Sequence, residues 1–136
     1  MSIVVAYAPT ENAADTENDN FYHQLEPLVL STLRNDQLFI LGDLNAVSGT
    51  ERLCYEAVIG SHGSGVTNNN TQRLLNLFSM AKRVIAGSFL RRLDIHRHTC
   101  ISHDGHTRKE IDHILTRYIS LIMRYSVQTG RDNCQL

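Results

Sequence analysis

The chain has 136 residues, 13 basic and 14 acidic side chains, a formal net charge of −1 and 42% hydrophobic residues. That is one domain or part of one, with enough apolar material for a core. It excludes wholesale disorder and collagen, coiled-coil or mucin-like architectures. The charge is uneven: residues 1–81 hold three basic and nine acidic side chains (net −6), residues 82–136 ten and five (net +5). The C-terminal half is therefore suited to face phosphate, or carries an ordinary solvated surface.

The stretch 3–8 is apolar and β-branched and stops at Pro9, which reads as a buried strand. From 18 to 33 the positions Phe21, Leu25, Leu28, Val29 and Leu33 recur at helical spacing, with Asn18 or Asp19 as N-cap. Pro27 inside that pattern is expected to kink or split the helix. Residues 38–41 form a second buried strand ended by Gly42, giving the strand–crossover–strand unit of a parallel or mixed sheet. Residues 46–72, rich in Gly, Ser, Thr and Asn, read as a long loop with a helical turn near 52–58. A short helix over 74–81 and a strand over 84–86 follow. An alternating segment over 95–102 then turns at Asp104-Gly105 and returns over 108–115, and a last strand covers 123–128.

The longest apolar runs, 3–6 and 38–41, are of strand length, far short of the roughly 20 residues of a membrane-spanning helix. MSIVVAYAPT has no secretory pattern, and Cys54, Cys100 and Cys134 are too widely spaced for a disulfide framework. A soluble protein of a reducing, intracellular compartment is expected.

Chemistry concentrates in three places. In the run 38–45 an apolar strand ends in Gly42 and presents Asp43 and Asn45, whose side chains leave an extended chain on the same side. A carboxylate and a carboxamide there can orient a water, bind Mg²⁺ or hold a phosphate oxygen; the alternative is an Asx-turn that merely exits the strand. Asp112 and His113 interrupt the apolar Ile111, Ile114 and Leu115 and need partners, so they either serve a metal or catalysis or make a structural hydrogen bond. Tyr7, at the end of the first strand, can donate its phenol to phosphate or simply pack.

Five stretches together carry a resemblance: Val4–Thr10, Gly42–Ala46, Asn68–Leu75, Thr99–Thr107 and Ile111–Leu115. In this order they resemble the endonuclease/exonuclease/phosphatase superfamily of the apurinic-site-nuclease type. Its nearest look-alikes are the endonuclease domains of non-LTR retrotransposons and the host-derived craniofacial development protein 2-like proteins. The resemblance implies an α/β (α+β) fold, part of a two-sheet αβ sandwich of the pancreatic-deoxyribonuclease type. Residues 1–136 would form a partial domain of it, hydrolysing phosphodiesters or phosphomonoesters with Mg²⁺ and with its catalytic groups at one end.

It also implies that Tyr7 contacts the scissile phosphate, Asp43 positions or deprotonates the attacking water, Asn45 holds the phosphate and Asp112 supports the family's catalytic histidine. His113 is not that histidine. Asn70, Arg108 and Lys109 are implied contacts to DNA, in a nuclear location. The family's early Asn and metal-binding Glu would precede Ile3, and its closing Ser-Asp-His would follow Leu136. Cys100 stands where retrotransposon relatives carry Trp, and Thr71 where they carry Gly. The chain is thus expected to be the central part of the fold, to bind Mg²⁺ weakly or not at all, to cleave poorly on its own and to self-associate through an uncovered sheet face.

Two other readings compete. One is a non-catalytic nucleic-acid-binding or protein-interaction remnant of a retrotransposon-derived gene, using Arg91, Arg92, Arg97, Arg108 and Lys109. The other is a zinc site from His96, His98, Cys100 and His103 or His106.

Overall fold

The computed structural model describes residues 1–31, 36–117 and 122. The expected strand over 123–128, Leu33 and Cys134 lie outside the described residues. Strand β1 (Ser2–Tyr7) leads into helix α1 (Asp15–Ser31) and returns as β2 (Leu38–Asp43), parallel to β1 from Ser2 opposite Leu38 to Tyr7 opposite Asp43. Helix α2 (Asn69–Ala81), strand β3 (Val84–Ile85) and the short helix α3 (Ala86–Phe89) follow. Next come a 3-10 turn (Asp94–His96) and strands β4 (Cys100–Ile101), β5 (Arg108–Lys109) and β6 (Asp112–Thr116). The main sheet has the order β1-β2-β6-β3, with β6 antiparallel to both neighbours, and β4 and β5 make a second, two-stranded sheet. The architecture is mixed α/β with a mixed sheet, as the strand–crossover–strand pattern predicted.

Helices α1 and α2 cover one face of the main sheet. Their Tyr22, Leu25, Val29, Leu74, Leu77 and Phe78 close over Ala6, Leu38, Ile40, Ile85 and Leu115 in one core cluster. Strand alternation sends the intervening side chains the other way. On β1 these are Ile3, Val5 and Tyr7, which remain 56%, 79% and 73% exposed. They are in register with Phe39, Leu41 and Asp43 of β2, so an apolar strip runs along this second face toward its polar end.

Several local expectations are corrected. Helix α1 begins at Asp15, and Asn18, expected as its cap, lies inside it, buried, with Nδ2 donating to Thr10 O at 3.2 Å. Pro27 does not split it. Pro27 and His23 are both on the exposed side, where water can satisfy the His23 carbonyl that proline leaves without its helical donor. Residues 69–72, read as loop, form the first turn of α2. Asn68 caps it, accepting from Thr71 N at 2.9 Å while Thr71 Oγ1 accepts from Asn68 N at 3.1 Å, a reciprocal capping box. The helical turn expected near 52–58 is present as successive turns, with Tyr55 N donating to Arg52 O and Val58 N and Ile59 N to Tyr55 O.

The returning stretch 108–115 is two strands in two sheets, because Ile111 N and Asp112 N both donate to Thr99 Oγ1 (3.1 and 3.2 Å) and divert the chain between them. No disulfide framework was expected of the three cysteines, yet Cys100 is disulfide-bonded, while Cys54 is free and exposed.

Candidate active site

The parallel β1–β2 pair ends at Tyr7 and Asp43, and antiparallel β6 begins at Asp112 beside Asp43. Tyr7, Asp43 and Asp112 therefore stand in one register row across three adjacent strands. Side chains opposite one another in a sheet share a face, so the three sit side by side where the apolar strip ends. Residues 7, 43 and 112 are far apart in sequence; the sheet order brings them together.

Gly42 permits this arrangement at β2. Its φ is +136°, and a Cβ there would lie 2.0 Å from Ala6 O, so only glycine lets β2 lie this close to β1 immediately before Asp43. Beyond Asp43 the chain turns sharply, with Asn45 at φ +46°. The Asx-turn left open by the sequence is present, Asn45 N donating to Asp43 Oδ1 at 2.8 Å. It serves to fix the Asp43 carboxylate at the strand end. Asn45 Nδ2 donates to Ala8 O at 2.8 Å, which ties this turn to the end of β1, and Asn68 Nδ2 donates to Asn45 O at 2.8 Å.

Burial holds the Asp43 carboxyl above the usual carboxylate range. Asp112 adds to this through like-charge repulsion, while the Asn45 N–H and His113 work against it. The result is a carboxylate more basic than a surface aspartate, a property suited to accepting a proton from water.

His113, the residue after Asp112, is buried on the core side of β6. Its Nε2 lies 2.6 Å from Ala46 O. A carbonyl only accepts, so Nε2 carries the proton and donates. Of the alternatives the sequence left for this histidine, a structural hydrogen bond is the one observed.

Next to the row a cavity of about 90 Å³ is lined by Thr10, Asn12, Asn45, Asn68 and Lys109, with Glu11 and Ile111 completing its wall. Glu11 is occupied in part at the start of α2, accepting from Asn69 N at 3.0 Å. Lys109, half-buried, is the cation of this cavity, and Arg108 beside it is exposed. Asn70, an expected DNA contact, is fully buried, and its Nδ2 donates to Pro9 O at 3.0 Å. Here it holds the loop after β1 against α2.

The basic set of the competing reading does not act together. Arg92 and Arg97 lie buried on Glu110: Arg92 Nη2 is bonded to Glu110 Oε1, Arg97 Nε is 3.5 Å from Oε2, and Ser64 Oγ donates to Oε2 at 3.3 Å. Among the described residues no three His, Cys, Asp or Glu side chains converge on a point that could hold a metal ion. The proposed zinc set is therefore dispersed, with Cys100 bonded elsewhere. Mg²⁺ is commonly held by one or two carboxylates with several waters, and Asp43 and Asp112, paired in register, are the carboxylates of the row that would be available to it.

Two contributors went unnoticed in the sequence. Thr99 receives the Ile111 and Asp112 N–H groups and so sets where β6 starts. Asn68 both caps α2 and holds the turn after Asp43. Thr99 opens one of the resembling stretches, and the spacing of Asn68 to Thr71 is that of a capping box, so both left a signal.

The chain is similar to craniofacial development protein 2 of Tragulus javanicus and of Bos taurus, 32% identical over 131 residues in each case. The match covers 96% of this chain but 22% and 21% of those proteins, so the chain spans about a fifth of the length of the curated relatives it matches. No family model matches the chain, and no solved structure does. No described helix is long and apolar enough to cross a membrane.

Proposed function

We propose that the chain is part of a Mg²⁺-dependent phosphodiesterase domain acting on DNA, of the endonuclease/exonuclease/phosphatase type, and that alone it cleaves slowly or not at all. The observation that carries this reading is the single register row of Tyr7, Asp43 and Asp112, all three singled out beforehand for phosphate chemistry. In the proposed reaction a water attacks phosphorus in line with the leaving oxygen. Asp43 accepts a hydrogen bond from that water, and its raised basicity, sustained by Asp112, favours taking the proton. The Tyr7 hydroxyl donates to a non-bridging oxygen, and Lys109 offsets charge from the neighbouring cavity. The family's metal would supply further charge neutralisation.

Slow turnover follows from what the row lacks among the described residues. The nearest imidazole, His113, has its proton-bearing nitrogen engaged by Ala46 O and cannot relay a proton to the leaving group. The apolar strip of Ile3 and Val5 fits the reading of an uncovered sandwich face and supports self-association of the isolated chain.

The test uses purified chain with supercoiled plasmid and an abasic-site oligonucleotide in Mg²⁺. Binding is expected to fall steeply between roughly 50 and 200 mM salt and to weaken in Arg108→Ala/Lys109→Ala. Cleavage is expected to be no faster than in Asp43→Ala. Sustained metal-dependent cleavage abolished by Asp43→Ala would overturn the impairment, and absence of binding at low salt would remove DNA as the partner.

A further inference from the structure

We propose that His113 is a positioning residue that locks the turn carrying Asp43 and Asn45 to the strand carrying Asp112. The proposal rests on reading the Tyr7–Asp43–Asp112 row as the functional site.

The exit of β2 is an unusual piece of chain. Asp43 stands between two residues at positive φ, Gly42 at +136° and Asn45 at +46°. Such backbone persists only where its surroundings over-determine it. The ties converge from every side. Ala8 N donates to Asp43 O at 2.8 Å from β1's end, Asn45 Nδ2 donates back to Ala8 O, and Asn68 Nδ2 holds Asn45 O.

From the β6 side two ties come at alternate residues. Leu44 N donates to Ile111 O at 3.0 Å, and His113 Nε2 donates to Ala46 O at 2.6 Å, so the two bonds bracket Asp112. Leu44 and Ala46 are fully buried. These contacts with residues 111 and 113 hold the chain on both sides of Asn45, whose Nδ2 reaches Ala8 O at the end of β1 while Asp43 stays in register with Asp112.

Of these two bonds, only the histidine one uses a side chain, and it spans 67 residues of sequence. Losing it leaves the buried Ala46 carbonyl without that donor and frees the turn to rotate about Leu44. The ring's other nitrogen, Nδ1, is buried and has no hydrogen-bond partner among the described residues, so one bond defines the ring's polar role. His113 touches no expected substrate atom. It acts through Asp43 and Asn45.

Two variants separate this role from simple packing. His113→Leu keeps an apolar body without a donor, and His113→Gln keeps an N–H donor at similar reach. The readouts are made by NMR on the whole chain without substrate: hydrogen exchange of the Asn45 amide, and the acid titration of the Asp43 carboxyl. In His113→Leu the Asn45 amide is expected to exchange at least tenfold faster and the Asp43 titration to move. In His113→Gln the Asn45 protection is expected to return to near the parent value.

Leucine leaving both readouts unchanged overturns the proposal, whatever it does to melting temperature. So does glutamine losing Asn45 protection as fully as leucine. If the leucine variant does not fold, the glutamine variant decides alone: retained Asn45 protection supports the proposal, and loss of it in a folded chain overturns it. Because no arm needs DNA or turnover, failure of the phosphodiesterase reading appears in the binding assay and leaves these arms standing.

Discussion

Replacing Glu110 by Gln keeps the shape of the side chain and removes its charge. The wild-type carboxylate is 2% exposed and faces Arg92 and Arg97, whose side chains are 6% and 10% exposed, with Ser64 as a further donor. The trio already carries one more positive than negative charge, so the variant removes the buried carboxylate that both guanidiniums share and leaves Arg97 facing the exposed Asp94 at 4.0 Å. Breaking a buried pair from one side costs about 3–5 kcal/mol, because the remaining charge stays desolvated. Against a total stability of about 5–15 kcal/mol, this is a large fraction.

For a chain of this size it corresponds to a fall in Tm of roughly 10–20 °C. The assay is urea unfolding followed by circular dichroism, with thermal melts in parallel. Replacing all three partners together by Met or Leu is expected to recover most of the loss, since an apolar trio has no charge to strand. A Glu110→Gln variant within about 1 kcal/mol of wild type would refute the argument, because it would mean that water reaches the guanidiniums.

Other perturbations are expected to differ in kind. Phe78→Ala, at a fully buried position of α2, is expected to cost about 3–5 kcal/mol in the same urea assay. Arg73→Ala breaks ion pairs to Asp15 and Asp19, which are 82% and 65% exposed, and is expected to cost under about 1 kcal/mol, an effect that fades in high salt. Asp43 has a raised folded-state pKa, so its protonated form favours the fold below the ordinary carboxylate pKa, and this advantage is lost as pH rises through the raised value. Asp43→Asn is therefore expected to melt higher than wild type at neutral pH, with the gap closing in acid; parallel curves of Tm against pH would contradict this. Val5→Lys, on the exposed strip, is expected to shift sedimentation velocity profiles toward monomer, whereas a wild-type chain already monomeric at high concentration would show that the strip is not adhesive.

Strands β1 and β2 were legible because short apolar runs bounded by Pro9 and Gly42 have few other solutions, and the Tyr7 and Asp43 positions followed from them, whereas Asp112 stood out as an acid inside the apolar run 111–115. The burial of Arg92 and Arg97 was not legible. A basic run looks the same whether it faces water or a glutamate more than ten residues away, and only the fold brings Glu110 beneath both. Pro27 misled for a related reason: a proline ends a helix unless the carbonyl it strands faces solvent, and that depends on which side of α1 the sheet lies. The asparagine run 68–70 looked like loop because its composition is that of loops, yet Asn68 and Thr71 at a spacing of three made it the start of a helix. His113 was left between two roles because the Ala46 carbonyl it meets is known only once β6 is placed beside β2.

The sheet order has a consequence for synthesis. β6 lies between β2 and β3, so the strand made last of the four is a central one, and β2 and β3 are not neighbours until it arrives. About 70 residues separate Asp43 from Asp112, which at ribosomal rates of roughly 5–20 residues per second is a wait of about 4–14 seconds. During that interval β1, α1 and β2 can pair and pack, but one edge of β2 stays open and Ala46 lacks its histidine. The residues read as the active site come together only when β6 slots between its neighbours, so a nascent chain passes through its most adhesive stage before its chemistry exists.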